Sequence, residues 1–338
     1  LLAMGSGARA AGVPFQRGMT LGLYHADPEH SYVPQIDEIA ELGANSVSLV
    51  VVWMQDSIRS ETIEIDEVRT VSDERLIETI RAAHGRGLRT LLFPIVLLRN
   101  AGEGEWRGRL APEDPDAWFD SYRSHLLRLA CLAASEEVEL MSIGSELSSL
   151  EHHADQWRRT IGDVRSVFPG ALTYSANWDH LGVVEFWHDL DSVSLSAYFI
   201  LAERSDAPQS WLDGAWISHR DEILAWHAAS VPDMPLVVAE VGYASQDGTA
   251  QHPWDYTQRS AVDLEEQRMC YAAFIRAWDG VDPLRGVHFY EWGRGEGGPE
   301  DRYYTPRGKP AEDLIRAWYS RGEVPGPGES IGMEATEP

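Results

Sequence analysis

Eight times along the 338 residues, an apolar run of strand length gives way to a segment of helical character, and this alternation leaves few architectures open. The runs are residues 18–24, 46–54, 89–98, 138–144, 172–178, 193–199, 235–243 and 285–292. The second reads SVSLVVVWM, the near-continuous apolarity of a strand covered on both faces in a parallel sheet. Helical stretches are expected at 33–42, after Ser72, after Asp114, at 154–167, briefly at 184–190, and at 211–229, 264–277 and 311–319. Ser72 and Asp114 are N-cap residue types, and Pro115 suits a first helical turn. No Gly-x-Gly-x-x-Gly fingerprint follows the first run, which disfavours an open doubly wound sheet. The expected fold class is α/β, a single (β/α)8 TIM barrel over residues 15–322. Residues 1–14 read as a flexible N-terminal segment and candidate export remnant, and residues 323–338, rich in Pro, Gly and Glu, as a flexible tail. Export to the periplasm or medium is therefore expected over a cytoplasmic location, and a monomer over an assembly.

Composition removes several function classes. Lys plus Arg number 28 against 54 Asp plus Glu, a formal charge of -26, which repels nucleic acid and anionic lipid. No apolar run approaches the roughly 20 residues that a membrane-spanning helix needs. Cys131 and Cys270 are expected as buried thiols on separate helices, too far apart to bridge. Lys309 is the only lysine and follows a loop rather than a strand, which disfavours Schiff-base chemistry. His25 and His30 are too widely spaced for a His-x-His metal motif, and His152 and His153 lie beyond the fourth strand, so no metal or cofactor is called for. The Gly-rich stretch 293–298 lacks the Gly-Lys-Ser/Thr ending of a phosphate loop.

Chemistry in such barrels gathers at the carboxyl ends of the strands. There the fourth run delivers Glu146 and the seventh Glu240, 94 residues or three strand-helix units apart. Two carboxyl groups across one mouth can divide glycosidic cleavage between them, one protonating the leaving oxygen and one attacking the anomeric carbon. The chain also carries 13 Trp and 12 Tyr, flat amphipathic rings suited to sugars. Trp53, Trp106, Trp254, Tyr24 and Tyr243, at or past strand ends, are candidates for stacking on substrate.

Six short stretches in strand-end order carry a resemblance: IGSEL at 143–147, TYSANW at 173–178, SAYF at 196–199, AEVGY at 239–243, FYEW at 289–292 and GKP at 308–310. Over residues 18–320 the chain resembles the retaining (β/α)8 glycosidases, and within them glycoside hydrolase family 113, the β-mannanases. The resemblance implies Glu146 as acid/base, Glu240 as nucleophile, Tyr198 as the phenol that steadies the nucleophile, and Trp292 as a platform under the attacked sugar. Asn177 and Trp178 join the substrate-binding set. The wider clan places Asn directly before the acid/base to hold the sugar 2-hydroxyl; Ser145, also in the substrate-binding set, stands here, so that contact is expected to weaken or to pass to Asn177. The expected partner is a β-1,4-linked mannan or manno-oligosaccharide. Other glycosidases of the clan, acting on glucan, xylan or galactan, and a non-catalytic sugar-binding barrel are the alternatives.

Overall fold

A computed structural model describes residues 15–293 and 296–321; both terminal segments expected to be flexible lie outside the described residues. Nine strands form: β1 (Gln16–Leu23), β2 (Ser46–Gln55), β3 (Ile63–Glu64), β4 (Arg89–Leu98), β5 (Leu140–Ser145), β6 (Ala171–Asn177), β7 (Val193–Ser196), β8 (Leu236–Val241) and β9 (Leu284–Phe289). All but β3, a two-residue antiparallel addition to β2, are parallel, and β1 closes the sheet by pairing with both neighbours: Met19 lies opposite Val47 on β2 and Phe289 on β9. The result is a closed eight-stranded (β/α)8 barrel, which removes the exposed edges of an open sheet.

Alternation of side chains divides the strands between two apolar regions. On β2, Val50, Val52 and Met54 fill the interior with Leu91, Phe93 and Ile95 of β4. Val47, Leu49, Val51 and Trp53 point the other way, into the layer beneath the helices. Further round, the interior is lined by small hydroxyls. Thr173 and Ser194 are 2.7 Å apart, Ser175 and Ser196 3.1 Å, so these buried polar groups satisfy one another.

Seven α-helices cover the barrel among the described residues: α1 (Val33–Glu41), α2 (Asp73–Gly85), α3 (Pro115–Ser135), α4 (Ala154–Arg165), α5 (Gln209–Ser230), α6 (Leu264–Trp278) and α7 (Pro310–Tyr319). Their starts follow local chemistry. Ser72 accepts from the Arg75 amide (3.3 Å), Asp114 from Asp116 (2.9 Å) and Asp263 from Glu266 (2.8 Å), each relieving an orphan donor of the first turn. The helix expected at 184–190 is instead a 3-10 turn at Trp187–Asp189. The connection is short, and Phe186 and Trp187 are anchored sideways, Trp187 donating its indole N–H to Leu181 O at 3.0 Å. Cys131 on α3 is exposed rather than buried, while Cys270 on α6 is buried, and both are free. No helix among the described residues is long and apolar enough to cross a membrane.

Beyond β8, Gly242 passes close to the β9 exit. A Cβ there would lie 2.2 Å from Tyr290 O, and backbone cannot yield as a flexible side chain can. Gly242→Ala is expected to cost about 1–3 kcal/mol through forced displacement. Gly162→Ala on α4, where an added methyl meets nothing within 4 Å, is expected to add about 0.5–1 kcal/mol through helix propensity. Urea unfolding of the two variants checks both signs.

Candidate active site

Irregular strand ends aim the two carboxylates inward. On β8, Val238 and Val241 both belong to the outer layer while Ala239 faces the interior, and the pairing register slips on both sides of Glu240. This bulge inserts one residue and turns its side chain to the barrel mouth. At the end of β5 the register slips between Ser142 and Ser145, and Glu146 adopts a left-handed backbone with φ +52°. A residue with a Cβ pays about 1–3 kcal/mol for that conformation, which persists only where the surroundings hold it. Both side chains are largely withdrawn from water, with Glu146 5% and Glu240 4% exposed.

Among the described residues one cation serves both. Arg107, in the 3-10 turn Arg107–Arg109 of the loop after β4, donates through Nη2 to Glu146 Oε2. Its guanidinium lies 5.8 Å from the Trp106 ring centre, and that ring folds over Gly108, where any Cβ would strike it at 2.4 Å. Burial works against the Arg107 charge, but Glu146 and Glu240 outweigh it and raise its proton affinity. Burial, followed by the charge of Glu146, pushes the Glu240 carboxyl up to about 8, against the opposing pull of Arg107 and of the Tyr198 hydrogen bond. At neutral pH the pair therefore retains one proton.

Phenols line the rest of the mouth. Tyr198, just past β7, donates to Glu240 Oε2 at 3.1 Å. Tyr290 meets Tyr198 edge-on at 6.3 Å and Tyr304 at 5.4 Å, and its hydroxyl is 3.2 Å from that of Tyr24. Burial, then neighbouring carboxylates, raise the Tyr24 and Tyr198 phenols well above their usual range, so both stay neutral hydrogen-bonding groups.

The remaining expected residues divide. Asn177 sits at the end of β6 with its amide 2.8 Å from Asp179. Trp178 packs 5.3 Å from Phe199 and lines the group that contains Tyr198. Trp254 is 44% exposed on the loop after β8. Ser145 is buried, its hydroxyl without a hydrogen-bond partner among the described residues.

Three expectations are corrected. Trp53 falls on the outward phase of β2 and packs 5.7 Å from Tyr122 and 5.6 Å from His125 on α3. Tyr243 is buried, its hydroxyl 2.8 Å from the Trp216 indole nitrogen. Trp292 is 2% exposed and donates its indole N–H to Glu38 on α1 at 2.7 Å, so it belongs to the wall between barrel and helix. The half-buried Tyr290, two residues earlier, is the ring of that strand exit which faces the carboxylates. Sequence reading missed it, along with Tyr304 and Arg107; a neighbour singled out as a sugar platform, Trp106, stood directly before Arg107.

The oxygens of Asp247, Asp263 and Glu266 lie within 4.8 Å of one another. Glu266 accepts from the Gly248 and Ala250 amides at 2.8 and 3.0 Å and Asp263 caps α6, so the group fastens the loop after β8 to the helix that follows.

Comparison with solved structures agrees with this frame. A β-glucuronidase from Ruminococcus gnavus shares the fold at TM-score 0.63 and 12% identity, over 90% of this chain and 50% of that one. A GH113 β-1,4-mannanase solved as a complex matches at TM-score 0.81 and 25% identity, over 91% of this chain and 100% of the other. The GH113 β-mannanase AaManA from Alicyclobacillus acidocaldarius, in complex with ManMIm, matches at 0.81 and 29%, over 91% and 98%. Among curated protein sequences none matches. The chain is thus a glycoside hydrolase by fold and likeness. The family model of Glycoside Hydrolase Family 113 spans residues 22–309, and the chain belongs to that family.

Two measurements probe this arrangement. Trp292→Ala is expected to lower stability by about 3–5 kcal/mol, as for a buried aromatic, while the folded fraction keeps its kinetic constants; thermal unfolding and assay together decide. For Glu240, the folded carboxyl titrates near 8 and an unperturbed one near 4.5, so between these values the folded state binds the extra proton and stability falls as pH rises. Glu240→Gln removes that slope. Its melting temperature is expected to exceed the wild-type value by a margin that widens from about pH 5 to about pH 8; a constant margin contradicts the shift.

Proposed function

We propose that this glycoside hydrolase cleaves β-1,4-linked mannan or manno-oligosaccharides with retention, through a covalent glycosyl-enzyme. The observation that carries the reading is the buried pair Glu146 and Glu240 at the ends of β5 and β8, coupled so that a proton is held between them at neutral pH. Double displacement needs one carboxylic acid and one carboxylate. The choice of mannan rests on the likeness to GH113 β-mannanases along nearly the whole of both chains.

In the first step the Glu146 carboxylic acid gives its proton to the glycosidic oxygen as the Glu240 carboxylate attacks the anomeric carbon. The bond to the leaving sugar breaks and an ester to Glu240 forms. In the second, Glu146, now a carboxylate, takes a proton from water, whose oxygen attacks the same carbon and releases Glu240. Tyr198 fixes Oε2 of Glu240 and leaves the other oxygen for the attack. Arg107 pairs with Glu146, and burial of the two acids together favours keeping the one proton that the first step uses.

The carboxyl groups are then spaced about 5–5.5 Å apart in the complex, and NMR of the first turnover shows product with the substrate's anomeric configuration; inverted product removes Glu240 as nucleophile. Glu240→Ala abolishes turnover, whereas Glu146→Ala still forms the glycosyl-enzyme from a substrate with a self-leaving group and is accelerated by azide. Because Arg107 is the cation beside both acids, Arg107→Gln is expected to move both limbs of the pH–rate curve to higher pH. Product sizing on mannan, glucomannan, xylan and cellulose tests the substrate: preference for xylan or cellulose overturns the mannan assignment and leaves the two-carboxylate mechanism standing.

A further inference from the structure

We propose that Tyr174, Glu151 and His180 form a buried positioning relay that holds the peptide after Glu146 and so keeps the acid/base carboxyl aimed at the glycosidic oxygen. The inference rests on the role assigned to Glu146 above. Glu146 is one of two residues other than glycine with positive φ among the described residues, and a conformation of that kind needs holding from outside. Two hydrogen bonds hold it. The Glu146 amide donates to Ser175 O at 2.8 Å, continuing the β5–β6 ladder, and the Leu147 amide donates to the Tyr174 hydroxyl at 2.9 Å.

The second of these bonds has a chain of partners behind it. A phenol has one proton, and that of Tyr174 goes to Glu151 Oε1 at 2.8 Å, which leaves its oxygen lone pair for the Leu147 amide. Glu151, in the turn after β5, is wholly buried. Its Oε2 lies 2.8 Å from Nδ1 of His180, and the His180 amide is bonded to Asn177 O at 2.9 Å. Burial raises the Glu151 carboxyl, while Tyr174 and His180 oppose the rise. A fully buried acid with both oxygens engaged, one by a phenol and one by an imidazole, fixes the direction of each bond and hence the position of the phenol oxygen. His180 is the only partly exposed member, in the loop that follows Asn177 and carries Trp178, so the relay joins that side of the mouth to the backbone under Glu146.

A positioning role for the acid predicts a dependence on the leaving group that loss of packing does not. Tyr174→Phe keeps the ring and removes only the oxygen. With a manno-oligosaccharide, whose leaving group needs the proton, kcat/KM is expected to fall tenfold or more; with a dinitrophenyl β-mannoside, whose leaving group does not, it stays within about twofold. Equal loss on both substrates, or a lower melting temperature with both values unchanged, overturns the relay. Glu151→Gln, which keeps the shape of that side chain, is expected to show the same split, and it carries the comparison if Tyr174→Phe does not fold. Glu146→Ala is measured alongside. A split in Glu146→Ala without one in the relay variants overturns the relay alone, whereas equal losses in Glu146→Ala overturn the acid role of Glu146 and the relay with it.

Discussion

Two carboxylates withdrawn from water in the field of one guanidinium set the terms for the rest of the site. Ionising both Glu146 and Glu240 places like charges in a medium that screens them poorly. A second cation would remove the conflict by letting both ionise, and with it the proton that acid catalysis needs. Among the described residues Arg107 neutralises one charge and leaves the other to be neutralised by a proton. The ion pair brings little net stability by itself, since desolvation offsets much of the attraction; its consequence is the proton count of the pair.

The barrel supplies this arrangement through departures from regularity at the two strand ends that matter. A uniform β8 would send Glu240 outward with Val238, and the bulge reverses it. A β5 that continued as a strand would not present Glu146 as the left-handed turn does. Elsewhere the sheet is regular: β2 and β4 pair over ten consecutive positions from Ser46–Arg89 to Gln55–Leu98. Paired hydroxyls of β6 and β7, Thr173 with Ser194 and Ser175 with Ser196, satisfy one another inside the barrel.

What could be read from the sequence follows the range of the forces involved. The run at 89–98 coincides with β4, and Ser72 and Asp114 cap the helices they precede, because apolar runs and caps are decided within a few residues. Both site glutamates fall at strand ends for the same reason. The failures are of three kinds. Trp53 was assigned by its place near a strand end and Trp292 by resemblance, whereas the side a ring takes depends on strand phase and on partners such as Glu38. Arg107 and Tyr304 were missed because they reach the site from loops, and nothing local to a loop shows which carboxylate or ring it will meet. The 184–190 segment failed by context: its aromatics find Trp157, Tyr174 and Trp226 before they can complete a helix.

The prevalence of tyrosine around the acids follows from the same electrostatics. Carboxylates buried at the mouth need hydrogen-bond donors, and the donor's charge matters as much as its reach. Another Arg or Lys would draw the shared proton off the pair. A phenylalanine would leave a carboxylate oxygen with neither water nor partner, at a cost of about 1–3 kcal/mol or more for a charged group. A phenol donates without carrying charge, and burial beside carboxylates keeps it neutral, as for Tyr24 and Tyr198. Its ring also presents an apolar face to a sugar. Tyr24, Tyr198, Tyr290 and Tyr304 thus meet two demands at one place: they bond polar groups and add no charge to the balance between Arg107 and the two acids. The relay residue Tyr174 meets both on the far side of Glu146, where a neutral donor engages Glu151 and its oxygen receives the amide that follows the acid.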